Sequence, residues 1–374
     1  MINRPDYIAA IEPFIDKPLV KILAGIRRCG KSTIFEMLRE ELLRRGIGED
    51  QIVCKRYTEM DIPENITAKQ MYDELTAAMA GKGHCYLLLD EIQEITGWEK
   101  AVNSLLESAD ADIYVTGSNS KLMSSEISTY LTGRYVSIPV YTLSFKEYLD
   151  FKADSTLSRR ELLEEYIRFG GFPIIALSEY DEQSAYQIVN GIYHTVVSRD
   201  IVKRHRINKQ DLFDRVVKYI IENMGKTFSA NAISTFLKSE HRKVSVESIY
   251  NYLRWLEQAF IIYPCERYDL QGKSILKTQE KYYLADVSLK YALLGYNRKM
   301  LDGAMENIVY LELKRRGYDV YIGKNDTKEI DFVATRRDER IYVQVCVRIP
   351  EASDREVGNL MEIRDHYPKY VVTL

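Results

Sequence analysis

The stretch GIRRCGKST, Gly25 to Thr33, constrains this chain more than any other. It fits G-x-x-x-x-G-K-[ST] at every required position. Before it runs PLVKILAGI, short and rich in β-formers. After it runs KSTIFEMLREELLRRG, where Ile34, Leu38 and Leu42 recur every four residues. That spacing makes one apolar helix face, with Gly46 as its C-cap. Strand, glycine loop and helix in that order form an anion site. The loop amides and the helix N-terminus point N–H groups at phosphate, and the helix dipole favours negative charge there. The expected cradle is Gly25, Ile26, Arg27, Arg28, Cys29, Gly30, Lys31, Ser32 and Thr33. Lys31 is expected to reach the β- and γ-phosphates of ATP, and the Ser32 hydroxyl to bind Mg²⁺.

A second stretch fits the same chemistry. CYLLLDEIQEI has an apolar run, Tyr86 to Leu89, followed by Asp90 and Glu91. Such a run suits a parallel strand buried on both faces. At its end, Asp90 is expected to hold Mg²⁺ through water, and Glu91 to polarise the attacking water. DIYVTGSNS reads as a further strand. Its polar end, Thr116 to Asn119, is placed to sense the γ-phosphate, and Asn119 joins the expected nucleotide contacts. KLMSSEISTYLTGRY reads as a helix ending at Gly133-Arg134, close to the sheet's nucleotide edge. Arg134 has two readings: a catalytic finger reaching a neighbouring subunit's γ-phosphate, or a helix-end arginine satisfying carbonyls and the dipole.

With these residues in hand, the chain resembles a known family. GIRRCGKST, LLLDEIQEI with the following GWE, VTGSNSKLMS, LTGRYVSIPVYTLSFKEYL, FGGFP and ENIVYLELKRRGYDV with EIDFVA and QV carry the likeness across almost the whole length. They resemble the AAA-superfamily ATPases of bacteria and archaea, which pair a P-loop core with a conserved C-terminal region of unassigned role. The resemblance implies an α/β P-loop NTPase: an AAA-like parallel sheet flanked by helices, hydrolysing ATP. It also implies a helical lid, a winged-helix element and a small C-terminal α/β domain of the restriction-endonuclease type. Within that pattern Lys31, Asp90, Glu91 and Arg134 match the Walker lysine, the Walker B pair and an arginine-finger-like position.

Length and composition set the frame. The 374 residues suffice for two or three cores. The expected division is 1–142 for the ATPase core, 143–206 for the lid, 207–298 for the winged helix and 299–374 for the nuclease-like domain, whose strand-like ending YVVTL leaves its completeness open. A net charge of −3 argues against nucleic-acid binding by bulk charge, though a local basic face remains open. The five scattered cysteines contain no CxxC pair, which reads as reduced thiols. No apolar run approaches a membrane span and the N-terminus lacks a signal core, so the expected location is cytoplasmic.

In the middle of the chain, SRRELLEEYIRF is amphipathic, and Arg168 and Arg199 are lid candidates for phosphate contact. The run from Leu212 to Ile262 reads as three helices, with Ser229 and Ser245 as N-caps. CERYDLQGKSILKTQEKYYLAD then reads as a hairpin wing. In a DNA reader the third helix would present Ser245, Glu247, Ser248, Asn251 and Arg254. Arg242, Lys243, Lys273 and Lys277 would add backbone contacts, and the run Val202 to Arg206 is basic. DNA and a protein partner both remain candidates, as does a homo-oligomer.

At the C-terminal end, ENIVYLELKRRG reads as a helix, and EIDFVA and IYVQVCV as paired strands. An active nuclease of this type holds Mg²⁺ with a helix glutamate and two strand acids, and places a lysine two residues beyond the second acid. Glu306 and Asp331 fill two of these positions. Gln344 replaces the second acid and Cys346 replaces the lysine. A neutral glutamine carbonyl is a weaker Mg²⁺ ligand than a carboxylate. The frame is therefore expected to be a degenerate nuclease site.

Overall fold

The structure is a computed structural model that describes residues 2–58, 66–123, 129–205, 207, 209–227, 229–239, 244–272, 274–297, 301–348 and 355–374. It forms two compact units, Met1–Thr142 and Leu143–Leu374.

Unit 1 is built on five strands: β1 Val20–Ala24, β2 Ile52–Arg56, β3 Cys85–Asp90, β4 Ala111–Gly117 and β5 Tyr135–Pro139. Their order is β2-β3-β4-β1-β5, and every neighbouring pair is parallel. Parallel sheets need cover on both faces, and β1 and β3 are buried at every residue. The helices are α1 Pro5–Ile11, α2 Lys31–Arg44, α3 Ala68–Met79 and α4 Trp98–Ser108. α2 buries Ile34, Phe35, Met37, Leu38 and Leu42. α4 buries Trp98, Ala101, Val102 and Leu105. β1 lies between β4 and β5, so the chain order reverses beside it. Open α/β sheets bind ligands at the carboxyl ends of the strands at such a point.

The amino ends of the strands hold a buried ion pair. Lys21 of β1 and Asp112 of β4 are 0% and 2% exposed, and they pair directly. Lys21 also donates to the Lys17 carbonyl at 2.8 Å. Asp112 accepts from the Tyr114 hydroxyl at 2.6 Å and from the Asp16 amide at 2.9 Å. Burial lowers the Lys21 pKa, against the pull of Asp112. With its hydrogen bonds made, the pair is tolerable inside the protein.

Unit 2 begins with helices α5 Phe145–Phe151, α6 Arg159–Phe169 and α7 Glu182–Val196. A π-helical turn follows, Val197–Val202. Next come α8 Gln210–Glu222, α9 Ala230–Ser239 and α10 Val246–Gln258. Ser229 caps α9 by accepting from the Ala232 amide at 3.2 Å, and Ser245 caps α10 by accepting from Ser248 at 3.1 Å. The remaining elements are β6 Ile262–Asp269, β7 Ser274–Leu284, α11 Ser288–Leu294, α12 Leu301–Arg315, β8 Asp319–Asn325, β9 Lys328–Arg336, β10 Glu339–Val345, α13 Arg355–Met361 and β11 Lys369–Val372. Six strands form one sheet, ordered β11-β10-β9-β8-β6-β7. The pairs β6–β8 and β10–β11 are parallel and the others antiparallel. The β6–β7 hairpin thus joins the C-terminal strands in one sheet, so the expected boundary between 207–298 and 299–374 does not separate two sheets.

The FGGFP stretch has a structural role in this unit. Gly170 adopts φ +75°, and a Cβ there would stand 1.8 Å from Asp286 Oδ1. The Gly171 amide donates to Asp286 Oδ2 at 2.8 Å. The pair of glycines lets a buried aspartate approach the backbone between α6 and the following turn.

Arg206, Arg242, Lys243, Lys273 and the side chain of Lys277 lie outside the described residues, as does 124–128 of the KLMSSEISTYLTGRY stretch. Among the described residues, no helix is long and apolar enough to cross a membrane.

Candidate functional site

The GIRRCGKST stretch leaves the carboxyl end of β1 and turns into α2. Gly25 is forced by contact: a Cβ there would lie 1.9 Å from the Val140 carbonyl oxygen. Arg28 and Gly30 take positive φ, 67° and 101°, which winds the backbone into a loop. Ile26 and Cys29 are buried, Arg28 and Thr33 exposed, and Arg27 stands between. Burial pushes the Cys29 thiol pKa up, which keeps it neutral inside an anion site. Lys31 is 4% exposed. Its Nζ donates to the Gly25 and Ile26 carbonyls at 3.0 and 3.2 Å, and lies 3.8 Å from Glu91 Oε1.

Asp90 ends β3 and collects three donors. Ser32 Oγ donates to Oδ2 at 2.7 Å, Arg56 Nε to the same oxygen at 3.1 Å, and Thr116 Oγ1 to Oδ1. Thr116 also accepts from the Glu91 amide at 3.0 Å, which locks β3 to β4 at this end. Glu91 takes a left-handed backbone, φ 55°. Its carboxylate accepts from Gln93 Nε2, from Ser118 Oγ at 3.4 Å, and lies 3.8 Å from Arg27 Nη1. A hydroxyl and a carboxylate at hydrogen-bond distance, both hard oxygen donors, fit a Mg²⁺ ion that keeps part of its water shell. Asn119 is 2% exposed and follows Ser118 past the end of β4.

The fold therefore brings Lys31, Ser32, Asp90, Glu91 and Thr116 together. Arg134 stands elsewhere. It directly precedes β5, whose first residue Tyr135 pairs with Val20 at the start of β1. Five residues of strand, roughly 16 Å at the usual rise, separate that end from the loop. The placement near the nucleotide edge is thus corrected: in a parallel sheet, the residue before a strand lies opposite the loop after its neighbour. There Arg134 donates to Asn103 Oδ1 at 2.9 Å and to Glu107 Oε1 at 2.7 Å on α4. In unit 2, Arg168 pairs with Glu182 and lies over the Phe169 and Tyr296 rings, and Arg199 is exposed on the π-helical turn.

Arg56 and Gln93 escaped the sequence reading. Arg56 is opposite Asp90 in the β2–β3 register, but that is legible only once β2 is recognised. Gln93 stood in plain view two residues after Glu91, and the spacing alone gave it no role.

The C-terminal frame is wired differently from a metal site. Asp331 on β9 and Gln344 on β10 do meet: the Asp331 amide donates to Gln344 Oε1 at 3.4 Å, and Asp331 Oδ2 accepts from the Val345 amide at 2.7 Å. Glu306 on α12 instead accepts from Lys281 Nζ at 2.9 Å and from the Tyr283 hydroxyl. Lys281, on β7 and 4% exposed, also reaches Glu329 Oε1 at 2.8 Å, and Arg267 pairs with Glu329 too. Two carboxylates raise the Lys281 pKa against its burial. Cys346 is buried, with its amide donating to Val372 O at 3.1 Å. Among the described residues, no group of three or more His, Cys, Asp or Glu is arranged to hold a metal. An ammonium sits against Glu306, and the donor set does not fit a divalent ion.

Residues 17–149 match the model of an AAA domain, and residues 160–299 match a domain of unknown function, DUF8612. An uncharacterized protein of Haemophilus influenzae is 38% identical over 376 residues, covering all of this chain and 93% of that protein. The chain belongs to that protein's family. An uncharacterized protein of Methanocaldococcus jannaschii, MJ1544, is 32% identical over 354 residues, 90% of this chain and 77% of that one. Among solved structures, the Walker-type ATPase PABY2304 of Pyrococcus abyssi matches with a TM-score of 0.55. That match covers 78% of this chain and 96% of PABY2304 at 16% identity, a likeness of fold. The family member described here carries an AAA-type P-loop ATPase domain.

Proposed function

We propose that this chain binds ATP with Mg²⁺ in unit 1 and hydrolyses it, acting as a nucleotide-driven switch. The observation that carries the reading is the convergence of Lys31, Ser32, Asp90 and Glu91 at the carboxyl ends of β1 and β3. In this reading the loop amides and the α2 N-terminus bind the phosphates. Lys31 leaves its loop carbonyls to meet the β- and γ-oxygens. Ser32 and Asp90 hold the ion, which when bound neutralises charge on the β- and γ-phosphates. Glu91, steadied by Gln93 and Ser118, orients the attacking water and takes its proton. Thr116 fixes the Asp90–Glu91 turn. Asn119 contacts the γ-phosphate, and Arg134 completes the site of a neighbouring copy in a homo-oligomer. Glu91→Gln is expected to cut phosphate release by about 10²–10⁴-fold with ATP still bound. Lys31→Ala is expected to lose both. Wild-type turnover in either variant would contradict the reading.

For unit 2 we read 143–206 as a helical lid, 207–298 as a winged helix whose β6–β7 hairpin shares its sheet with the strands of 299–374, and 299–374 as a nuclease-like region. Three helices followed by a hairpin support the winged-helix part. Glu247 in the first turn of α10 would repel phosphate, which favours a protein-docking helix over a base reader. DNA association is the second reading, and it requires salt-sensitive binding. Lys281 against Glu306 weighs against an ATP-gated nuclease.

A further inference from the structure

We propose that Arg4 is a positioning residue of the nucleotide site, a reading that rests on ATP binding in unit 1. Arg4 lies far outside the loop in sequence, ahead of α1. Its side chain is nonetheless buried against the loop's backbone, 2% exposed. Nη1 donates to the Cys29 carbonyl at 2.8 Å. Nη2 donates to the Tyr141 carbonyl at 3.0 Å and to the Tyr7 hydroxyl oxygen at 3.3 Å. That hydroxyl accepts from the Tyr141 amide at 3.1 Å. The guanidinium also lies 4.5 Å from the Tyr7 ring centre. Tyr141 follows Val140, whose carbonyl abuts Gly25 at the loop's start. The segment after β5 therefore bears on the loop's beginning, and Arg4 holds its end. One guanidinium ties the two.

The consequence follows from the planarity of the peptide. The Cys29 carbonyl and the Gly30 N–H belong to one trans peptide and point in opposite directions. Drawing the Cys29 oxygen onto Arg4 turns the Gly30 N–H the other way, toward the side where phosphate binds. A carbonyl rotated into the cradle would instead face phosphate oxygens and repel them. The hydrogen bond that prevents this is charge-assisted and buried, the strong kind. Only a planar fork reaches the Cys29 and Tyr141 carbonyls and the Tyr7 hydroxyl at once; an ammonium is a single point. The N-terminal segment thereby sets the affinity of a loop to which it contributes no residue.

The test uses the full chain and a fluorescent ATP analogue with Mg²⁺, alongside ATP turnover and thermal melts. Arg4→Met is expected to raise Kd and KM about tenfold or more, the worth of one buried charge-assisted hydrogen bond. Over the same series kcat should change little, because Ser32, Asp90 and Glu91 keep their places. Arg4→Lys should recover part of the affinity. If Arg4 served stability alone, the melt and the active fraction would fall, and kcat would drop at unchanged KM. A wild-type Kd in Arg4→Met overturns the proposal. Should Arg4→Met fail to fold, Tyr7→Phe decides. It removes only the hydroxyl shared by Arg4 and Tyr141, so a raised Kd supports the proposal and an unchanged Kd overturns it. If the wild type binds no analogue, the nucleotide reading falls and Arg4's role with it. If binding is lost in Lys31→Ala but intact in Arg4→Met, Arg4's role alone falls.

Discussion

Gly25 shows how sharply a single position can be fixed. Its α-carbon faces the Val140 carbonyl so closely that a methyl group would lie at 1.9 Å, far inside van der Waals contact. Neither atom is at the end of a flexible side chain, so backbone must shift. Gly25→Ala is expected to cost about 1–3 kcal/mol of stability and, by moving the loop, to weaken nucleotide binding roughly tenfold or more. Chemical denaturation and analogue titration measure the two separately. A variant with normal affinity would mean that the loop tolerates displacement. The spacing of the motif made Gly25 legible in the sequence. Arg4 and Arg56 were not, because each acts on the loop or on Asp90 from a remote part of the chain. An arginine in a generic surface-like stretch gives no sign of which carbonyl or carboxylate the fold will bring to it.

At the scale of elements, β1, β3 and α2 were legible because pattern and burial agree: a run rich in β-formers, broken only by Lys21, for β1, a continuous apolar run for β3, and a four-residue recurrence for α2. β2 was not recognised. It has five residues with only Ile52 and Val53 buried, as suits the edge of the sheet. In unit 2, EIDFVA and the strand after it were found, but not the joining of the β6–β7 hairpin to β8. Strand alternation tells which face is buried and nothing about which distant strand pairs. That pairing brings Lys281 to Glu306 and Glu329. Lys281→Met would take the cation from Glu306 and leave Glu329 to Arg267 alone, at an expected loss of about 3 kcal/mol. The double variant Lys281→Met with Glu306→Met should regain part of it. Denaturant midpoints check both, and an unaltered single variant would show that the cluster contributes nothing to unit 2.

For the whole molecule, the AAA domain and the second unit raise the question of assembly. Arg134 lies at the end of the sheet away from its own loop, so any contact it makes with a γ-phosphate must be with another copy. Turnover per subunit should then rise with protein concentration as oligomers form, and Arg134→Ala should flatten that rise. Sedimentation run beside the turnover assay checks this. A monomer whose rate ignores concentration would leave Arg134 as a partner of Asn103 and Glu107 within α4. The likeness to the family was legible over nearly the whole chain, whereas what unit 2 would dock was not. Partners are chosen by surface shape and charge, and neither follows from the spacing of core residues.

The central claim is that Lys31, Ser32, Asp90 and Glu91 form one ATP-hydrolysing site. Single-turnover phosphate release with Mg²⁺, in wild type and Glu91→Gln, tests it most directly. The account predicts release by the wild type and bound but unhydrolysed ATP in Glu91→Gln. Equal release by both, or no ATP bound by either, would contradict it.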